Sequence, residues 1–399
     1  MTAPRSSTLA AGSLVAVMFI NMLGFGIVIP LLPFYAESFR AAPWQIALIF
    51  SAFSMGAFFG EPVWGRLSDR VGRKPLLLST VSDTMLCYLA LAFAPDVWTA
   101  FVIRFVGGAA SGNGAVMQGY IADVTEPAKR SRRMSWIGAA ASLGLVVGPS
   151  IGGVFARTHA GPAGFRVPLL IAAALSATCL VAIMTLIREP AVHREREDAG
   201  SRWQAVGEVA RHPVIGRLIL LTFLVGFAFT GIESVFGLWG QARFDWGPKQ
   251  IGWCFAVAGA VSGLTQFFAT GPLSERFGEA RVLAVGMGLT VLGVLGQTVS
   301  TGFATTTALM ALTALGQSVS WPNVGALISR NADPAKQGQV LGLNNACGAF
   351  SRFVGPLCAG LAFAHVSHNA PFVMAALVVA PAILLALSAA GRAGARARP

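Results

Sequence analysis

The sequence predicts an all-α polytopic membrane protein, and three observations lead to this fold class. The first is composition, because 55% of the 399 residues are hydrophobic and only 12% are charged, about half the charged fraction of soluble domains. The second is a series of apolar runs, each long enough to cross a bilayer as a helix. The third is the recurrence of short motifs at an almost constant interval. Together they predict twelve transmembrane helices in two six-helix bundles.

The apolar runs come first along the chain, and short polar segments separate them. Each run holds roughly the 20 residues that a helix needs to cross the hydrocarbon core. A retained first helix is expected, because no small-residue cleavage site follows the first run at the right distance. The predicted spans are 10–33, 44–64, 75–94, 97–121, 134–156, 166–187, 214–238, 250–271, 281–300, 304–328, 338–363 and 371–390.

The basic residues set the expected topology. With the N-terminus inside, 22 of the 29 Lys and Arg residues fall on the inner side and five on the outer side, while Arg104 and Arg352 lie inside spans. Cytoplasmic loops carry such an excess of cations. We therefore expect both termini in the cytoplasm and a bacterial inner-membrane location. The net charge of +12 is explained by topology, so no nucleic acid is expected as a partner.

The second half of the chain repeats the first. Four short echoes occur at offsets of 205 to 207 residues, which predicts duplication of a six-helix unit in one orientation. A charged cluster at 193–198 marks the linker between the units. The predicted domains are therefore 1–188, a linker at 189–212, and 213–399. The paired segments are 43–46 with 248–251, 65–72 with 271–278, 126–129 with 333–336, and 148–149 with 355–356.

The segment Gly65–Lys74 is the most distinctive link between two spans. It carries four cations, one carboxylate and two glycines in ten residues. Glycine permits positive φ or close backbone approach, and a carboxylate suits a helix N-terminus while arginines pair with carboxylates at neighbouring helix ends. We expect a gate here, although a merely basic topogenic loop is the alternative. Its predicted members are Gly65, Asp69, Arg70, Gly72, Arg73 and Asp123.

Ionisable residues inside spans are the predicted proton-coupling groups. A charge at bilayer depth costs about 2.5–3.5 kcal/mol on insertion scales, so such residues face the bundle interior and are functional candidates. Asp83 lies near the middle of its span, and an acid there is suited to hold and release a proton. A structural hydrogen bond is the alternative for Asp83, and Glu233 is its competitor in the second half. The candidates are Asp83, Arg104, Glu233 and Arg352.

Glycines and a proline fill the fifth span. Small residues let helix backbones approach closely, and an internal proline bends the helix. The predicted motif consists of Gly144, Gly148, Pro149, Gly152 and Gly153. Other polar or amphipathic residues inside spans are predicted to line a substrate cavity, although each is about equally well explained as a helix-packing hydrogen bond. They are Asn21, Asn113, Gln118, Gln266, Gln317, Trp321, Asn323 and Asn344.

The remaining chemistry of the sequence argues against an enzyme. The five cysteines are scattered singly through the spans and no C-x-x-C occurs, so neither a disulfide framework nor a metal site is predicted. No nucleophile constellation is present. We expect no cofactor and no catalytic residues.

The ordered string at 65–74 resembles the loop between the second and third helices of the major facilitator superfamily. The glycine–proline pattern at 144–153 resembles the fifth-helix motif of its antiporter branch, which accompanies export. Segments 21–33, 120–125 and 243–246 look like those of tetracycline/proton antiporters. The resemblance covers essentially the whole chain and implies the major facilitator fold. It also implies a charge relay of Asp69 and Arg73 with Asp123, and it matches Arg104 to the family's fourth-helix arginine.

The chain departs from the tetracycline pumps at several of their acids. Asn21 stands where those pumps carry a first-helix acid, and their third-helix acid falls at Cys87, one turn from Asp83. No acid occurs in 281–300, where they carry one in the ninth helix, and Arg352 stands where a small residue is expected. Antiport is therefore supported by the resemblance, whereas tetracycline as the substrate is not.

These observations predict a proton-coupled antiporter that exports a small amphipathic, drug-like compound, tetracycline-like compounds included. Proton-linked efflux of a metabolite, such as a sugar or amino acid derivative, is the alternative. A membrane sensor or scaffold is disfavoured because the chain carries no appended soluble domain. The expected partners are the small-molecule substrate, protons and the lipid bilayer, and the expected state is a monomer.

Overall fold

The structure is a computed structural model that describes most of the chain. The described residues are 4–112, 116–117, 119–120, 127–189, 214–332 and 337–396, and side chains are described for 12–60, 63–64, 67–68, 70–112, 116–117, 119–120, 136–189, 214–332 and 340–387. Within these residues the chain is almost entirely helical and contains no strand. The predicted all-α fold class is thereby confirmed.

Fourteen α-helices, some of them segments of one longer span, lie in the described residues. They are α1 Pro4–Val28, α2 Leu32–Glu37, α3 Pro43–Val71, α4 Arg73–Ala92, α5 Val97–Ala109, α6 Pro127–Phe155, α7 Arg166–Leu186, α8 Ile215–Phe244, α9 Pro248–Leu264, α10 Thr270–Phe277, α11 Glu279–Gln297, α12 Phe303–Asn331, α13 Gln337–His365 and α14 Ala370–Arg396. Short 3-10 segments at Ile29–Leu31 and Thr158–Phe165 connect some of them, and a π-helical turn, Thr265–Ala269, joins α9 to α10.

Ten helical segments of the described chain are long and apolar enough to cross a membrane. They match ten of the twelve predicted spans. The predicted fourth span begins with the shorter apolar helix α5. The predicted tenth span coincides with α12, whose many Thr, Ser, Gln and Asn side chains lower its hydropathy.

Local sequence explains where several helices begin. Pro43 and Pro248 open α3 and α9, where the missing proline N–H is not needed and its φ already suits a helix. Asp96 caps α5, because its carboxylate accepts hydrogen bonds from the backbone N–H groups of Trp98 and Thr99 at 2.8 and 2.9 Å. These helix-start signals lie where the apolar runs begin. The apolar runs therefore predicted the positions of these helices.

The predicted ten-residue link at 65–74 is wrong in its length. Helix α3 continues through the charged residues to Val71 and α4 begins at Arg73, so Gly72 alone breaks the helical path. Hydropathy reports where the hydrocarbon ends, whereas backbone hydrogen bonds continue the helix into the polar region beyond it. The junction between the two long helices is therefore a single residue.

The helices group into two compact units. The first unit comprises Met1–Glu195 and Gly240–Ala256, and the second comprises Arg196–Trp239 and Val257–Pro399. In the first unit α1 packs on α6 and α7, α3 on α5, and α4 on α7, and in the second α11 packs on α12 and α14. The predicted domain boundaries stay a prediction, and residues 190–212 of the predicted linker lie outside the described part.

Each unit has its own apolar core. In the first unit Leu14, Leu77 and Ile183 are fully buried members of a cluster shared by several helices. In the second, Trp239 stacks on Phe236 at 5.8 Å between ring centroids and lies 4.9 Å from Phe372. The indole N–H of Trp239 donates to Oδ1 of Asn369 at 2.8 Å, which meets the polar requirement of a buried tryptophan.

Candidate functional site

Gly72 forms the junction at one end of the first unit, the end predicted to be cytoplasmic. Its φ of 109° and ψ of 160° belong to a region that only glycine adopts readily. Directly after it, the first two backbone N–H groups of α4 are bound by one carboxylate. Arg73 N donates to Oε1 of Glu189 at 2.6 Å, and Lys74 N donates to Oε2 of the same residue at 2.7 Å. Glu189 therefore caps α4 where helix N-termini favour an anion.

Arg73 is buried at this end, with 6% of its surface exposed. Its Nη1 donates to Oγ of Ser68, and a Cβ placed on Gly119 would lie 2.8 Å from its Cζ. The guanidinium therefore lies against backbone that only a glycine leaves open. A further hydrogen bond, from Tyr120 Oη to the Arg188 carbonyl at 2.6 Å, ties the residues after α7 to the same place.

The structure thus brings together only part of the predicted gate. Gly72 and Arg73 lie at the junction, and Arg70 lies exposed in the last turn of α3, two residues before Gly72. Gly65 and Asp69 lie within α3, but the side chain of Asp69 is outside the described part. Asp123 is also outside the described residues, so the predicted relay from Asp69 and Arg73 to Asp123 stays a prediction.

A seam between α1 and α6 runs through the predicted glycine motif. A Cβ on Gly144 would lie 2.6 Å from the Phe19 carbonyl oxygen, and one on Gly152 would lie 2.5 Å from the Ile27 carbonyl oxygen. At Gly148 the added atom would lie 2.7 Å from Cα of Gly26. No side chain fits at any of these three positions, so the seam is a direct contact of two backbones.

The opposite face of the same motif packs on α9. A Cβ on Gly153 would lie 2.7 Å from the Pro248 carbonyl oxygen, and one on Gly252 would lie 2.5 Å from the Pro149 carbonyl oxygen. Residues 240–256 belong to the first unit, so these are contacts within it. The motif residues Pro149 to Gly153 are therefore packed on two faces, which explains their lack of side-chain bulk.

Asp83 and Arg104 lie on neighbouring helices of the first unit. Asp83 lies ten residues after the start of α4 and nine before its end, about 15 Å from Arg73 at 1.5 Å per residue. Its side chain is half-buried, and the described residues provide it with no hydrogen bond or ion pair. One turn further, Cys87 faces α5, because a Cβ on Gly107 would lie 2.9 Å from its Sγ.

Arg104 on α5 is buried, and its Cζ lies 4.8 Å from the ring centroid of Phe53. The Phe53 ring is in turn 5.7 Å from that of Phe25. The Nε atom of Arg104 has no partner among the described residues. Arg104 therefore lies over an aromatic face, about one turn from the Cys87–Gly107 contact. Asp83 and Arg104 thus lie on adjoining surfaces of α4 and α5.

The second unit holds the other two predicted ionisable groups. Glu233 is half-buried on α8, and no partner for its carboxylate is found among the described residues. Arg352 lies on α13 beside Gly348, where a Cβ would lie 3.6 Å from its Nη1. The same position lies 3.7 Å from Cγ2 of Thr222 and 3.8 Å from Cη2 of Trp321. Three helices therefore contribute side chains to one small space over Gly348.

The predicted cavity residues divide by their hydrogen bonds. Asn344 accepts from Thr222 Oγ1 at 2.6 Å beside the space over Gly348. Asn21 and Gln317 each have a buried amide nitrogen without a partner in the described part, and Gln266 is exposed in the π-helical turn. Asn113 and Gln118 lie outside the described residues.

Asn323 makes helix-packing hydrogen bonds, which were the alternative to a place in the cavity. It is 2% exposed, its Nδ2 donates to the Val319 carbonyl, and its Oδ1 accepts from Ser274 Oγ at 2.8 Å. It joins α12 to α10, and its place in a substrate cavity stays a prediction. A polar residue in a span satisfies its hydrogen bonds on whichever helix lies nearest, and its partner here lies 49 residues away.

Two residues of the candidate site were not predicted from the sequence, Glu189 and Thr222. Glu189 follows the sixth span and falls in the predicted linker, because charged residues beside a proline are typical of loops. Thr222 does not stand out because a threonine in a span usually bonds to its own helix, as its second contact to the Leu218 carbonyl at 3.3 Å shows. An anion placed next to a predicted helix start is the signal that favours a cap for Glu189.

Comparison with known proteins decides the family. The sequence model of the Major Facilitator Superfamily matches residues 14–248 and 218–398, which together include nearly the whole chain. The chain belongs to the major facilitator superfamily. The family assignment made from the motifs is therefore confirmed.

Several relatives within the major facilitator superfamily are named for drug resistance. The chain is 29% identical over 347 residues to tetracycline resistance protein, class C, of Escherichia coli, covering 85% of each chain. It is 26% identical to multidrug resistance protein 2 of Bacillus subtilis (strain 168), covering 91% of this chain and 90% of that one. It is also 25% identical to quinolone resistance protein NorA of Staphylococcus aureus, with coverage of 93% and 94%.

Solved structures share the fold of this major facilitator protein. The human organic anion transporter MFSD10 (TETRAN) superposes with a TM-score of 0.72 at 23% identity, covering 96% of this chain and all of that one. The nucleoside transporter NupG superposes with a TM-score of 0.79 at 13% identity, covering 95% and 99%. At these identities the likeness shows the fold alone, and membership of the superfamily makes the chain a multi-pass membrane transporter.

Proposed function

We propose that this transporter is a proton-coupled antiporter that exports a small amphipathic, drug-like compound across the cytoplasmic membrane. The observation that carries the proposal is the position of Asp83, a half-buried carboxylate at the middle of α4 with no partner among the described residues. A charged carboxylate at that depth costs several kcal/mol, whereas a protonated one does not. Proton binding at Asp83 is therefore a means of changing the free energy of one conformation relative to another.

The relatives support the direction of transport. Those with the similarities described above are named for resistance to tetracycline, to several drugs, or to quinolones, and resistance is a consequence expected of export. Tetracycline-like compounds are among the candidate substrates, but Asn21 and Cys87 stand where the resemblance leads us to expect acids.

The rest of the site then has defined roles. The junction at Gly72, with Asp69, Arg70 and Arg73, is the gate on the cytoplasmic side, where both termini also lie. The seam from Gly144 to Gly152 closes the first bundle against leakage, because two backbones in direct contact leave no path. Arg104, buried on α5 over the ring of Phe53, is the embedded cation of the same unit. The transporter works as a monomer in the bacterial inner membrane.

The experiment measures substrate-driven proton movement in vesicles that contain the purified protein. Asp83→Asn keeps the size of the side chain but removes the group that holds the proton, so proton movement on addition of substrate is expected to fall at least tenfold. Glu233→Gln is the matched comparison and should retain most of the parent rate. Substrate binding by Asp83→Asn, measured without a gradient, should persist.

A parent-like rate in Asp83→Asn together with a loss in Glu233→Gln would transfer the coupling role to the second unit. Absence of proton movement with any compound of a broad drug panel, combined with movement on addition of sugars or amino acid derivatives, would favour the alternative of metabolite efflux.

A further inference from the structure

The first unit contains a cavity of about 360 Å³ at one end, a volume in the range of small-molecule pockets, about 300–1,000 Å³. Residues at the ends of α2 and α8, in the link from α8 to α9 and at the start of the 3-10 segment Thr158–Phe165 line it, and all of them belong to the first unit. Helix α3 begins at Pro43, just beyond α2, and runs 29 residues to Val71, about 43 Å at 1.5 Å per residue. The cavity therefore lies at the opposite end of the unit from Gly72, the end predicted to be outer.

The end of α8 places an acid and an indole on the wall of this cavity. Asp245 has a positive φ of 58°, which aspartate adopts more readily than most residues. Its N–H donates to the Gln241 carbonyl at 2.9 Å, and the Trp246 N–H donates to the Gly240 carbonyl at 3.4 Å, which is the Schellman pattern of a helix end. An added Cβ on Gly240 would lie 3.0 Å from Cε3 of Trp246. The turn thus fixes both side chains where they line the cavity.

Two carboxylates, those of Glu37 and Asp245, line this cavity. Nε2 of Gln241 donates to Oε1 of Glu37 at 3.1 Å, and the described residues provide neither carboxylate with a further hydrogen bond or ion pair. Arg40 and Lys249 follow the two acids closely in the chain, but both are exposed and pair with neither acid in the described part. None of the described lining residues is basic. The wall of the cavity is therefore acidic.

The cavity has an aromatic floor and a polar rim. Phe34 and Trp246 are buried, at 4% and 8% exposed, whereas Asp245 is exposed and Glu37 is half-buried. The indole is held in place because its ring stacks on that of Phe244 at 4.5 Å between centroids. Ligand pockets are typically built this way, with apolar walls and a few polar groups that fix the orientation of the ligand.

An organic cation with an apolar body matches both parts of this wall. Its charged group is attracted to carboxylates and to the faces of aromatic rings, and its apolar body is removed from water at the floor. A bare metal ion is matched less well. Ca²⁺ takes about six to eight oxygen ligands, whereas aromatic rings form the floor here, and no group of three or more metal-ligating side chains occurs in the described part of the chain.

We propose that this cavity binds an aromatic organic cation, such as a protonated amine, with its charge beside Glu37 and Asp245 and its ring on the floor of Phe34 and Trp246. The proposal rests on the proposed export function for one point, because the end predicted to be outer is where an exported compound leaves. It then names the class of that compound, an amine-bearing aromatic molecule. Binding itself requires no gradient, so the site is tested apart from transport.

Dansylcadaverine and its N-acetyl derivative test the preference for a cation, since they share a ring system and only the first carries a protonated amine. Their binding to the purified protein in detergent is followed by fluorescence anisotropy. The parent should bind dansylcadaverine roughly tenfold or more tightly than the neutral derivative. Benzyltrimethylammonium should displace dansylcadaverine, whereas benzyl alcohol or Ca²⁺ at the same concentration should not.

Two variants remove the charges and keep the local structure. Glu37→Gln retains the oxygen that accepts from Gln241, and Asp245→Asn retains a residue suited to positive φ. Each should weaken dansylcadaverine binding roughly threefold or more, and the double variant roughly tenfold or more. Asp96→Asn is the matched control, because Asp96 is an exposed acid at the same end of the unit and is not among the described lining residues. It should leave both dissociation constants unchanged.

A charge added to the rim tests the site without touching either carboxylate. Thr158 is an exposed lining residue, so Thr158→Lys should fold and should weaken dansylcadaverine binding by repulsion. Thr158→Gln adds a longer side chain without the charge, and it should change the dissociation constant little. The proposal therefore remains testable if a carboxylate variant does not fold.

Equal binding of the two dansyl compounds by the parent, parent-like binding in the double variant, or displacement by benzyl alcohol or Ca²⁺ as effective as by benzyltrimethylammonium would overturn the proposal. Its failure is distinguishable from failure of export. Proton-driven transport of dansylcadaverine by a double variant that binds it like the parent would reject the site and keep the antiporter. Binding that depends on Glu37 and Asp245, in a protein that moves no compound against a proton gradient, would reject the antiporter and keep the site.

Discussion

The two halves of the chain build the same helix–helix seam in different ways. In the first, α6 presents Gly144, Gly148 and Gly152 to α1, and backbone touches backbone at all three levels. In the second, Gly355 makes such a contact, with an added Cβ 2.5 Å from the Phe227 carbonyl oxygen. Ser351 stands at the level of Gly144.

The serine in the second seam is accommodated by the other helix. Gly226 on α8 leaves the room that Ser351 Oγ occupies, and Ser351 donates to the Gly348 carbonyl at 2.7 Å. At the third level Ala359, fully buried, replaces Gly152. The first seam therefore tolerates no side chain, while the second includes polar and methyl groups. We infer that the first seam is a fixed closure.

The largest effect is expected from a bulky residue in the first seam. Gly152→Leu should abolish transport and lower the free energy of unfolding by about 1–3 kcal/mol or more, because its Cβ alone overlaps the Ile27 carbonyl. Gly138→Leu, in the same helix but with open space around it, is the matched control and should leave stability nearly unchanged. Thermal unfolding in detergent and drug accumulation in cells measure the two consequences. Parent-like transport by Gly152→Leu would contradict the closure.

The two helix junctions provide the next comparison. Gly72 and Gly278 both have positive φ, at 109° and 82°, so alanine at either should cost about 1–3 kcal/mol in backbone strain. At Gly72 the new methyl group would also lie 2.8 Å from Oε1 of Glu189, whereas nothing lies within 4 Å at Gly278. Gly72→Ala should therefore lower the melting temperature more than Gly278→Ala. Equal decreases would mean that the Glu189 cap adds nothing.

A smaller effect is expected for the carboxylates that bind at these two junctions. Glu189→Gln weakens a cap that binds two backbone N–H groups, and it should cost about 0.5–1 kcal/mol. Glu279→Gln removes an ion pair with the largely exposed Arg330, and it should cost about 0–1 kcal/mol, near the low end. Melting temperatures of both variants, at low and high salt, distinguish them. The order would be reversed if the second junction depended on its ion pair.

The smallest expected effect is on how the stability of the fold depends on pH. It concerns the residues at the starts of α5 and α12, Asp96 and Gly302. Hydrogen bonds from the backbone N–H and hydroxyl of Thr99, and from the backbone N–H of Trp98, hold the pKa of Asp96 below its ordinary value. A carboxyl group with a lowered pKa stabilises the fold above its unfolded pKa, near 3.9, and loses that contribution as pH falls through the folded value.

The equivalent cap in the second half does not titrate, because Gly302 N donates to Thr305 Oγ1 at 3.2 Å. Asp96→Asn should therefore flatten the fall in melting temperature between about pH 5 and pH 3, while Thr305→Ala should leave its shape unchanged. A pH profile identical in the parent and in Asp96→Asn would refute the role of Asp96.

Sequence predicts the fold class, the family and most helix positions, because apolar length and charge placement are properties of the chain itself. It fails where the answer depends on a distant neighbour. The predicted end of α3 is misplaced because hydropathy falls at Gly65 while the helix continues. Glu189 falls in the predicted linker because its two bonding partners lie more than a hundred residues earlier.

The candidate site shows the same division. Asp83, Arg104 and Arg352 are predicted from sequence because an ionisable group in a span is conspicuous by itself, and their roles stay predictions. Whether Asn323 faces a cavity or another helix depends on Ser274, and no local pattern contains that information. Asn344 and Asn323 look alike in sequence, yet one borders the space over Gly348 and the other joins two helices.

The π-helical turn at Thr265–Ala269 explains why the sequence offset between the two halves changes along the chain. The two halves match at an offset of 205 residues where α3 and α9 begin, at Pro43 and Pro248, but at 206 where these spans end, at Gly72 and Gly278. One extra residue must lie between those points in the second half. A π turn closes its hydrogen bond over one more residue than an α turn, so it takes in an additional residue without breaking the helix. The turn accounts for the shift in numbering, and it leaves Gln266 exposed on a helix whose register no longer matches that of its counterpart.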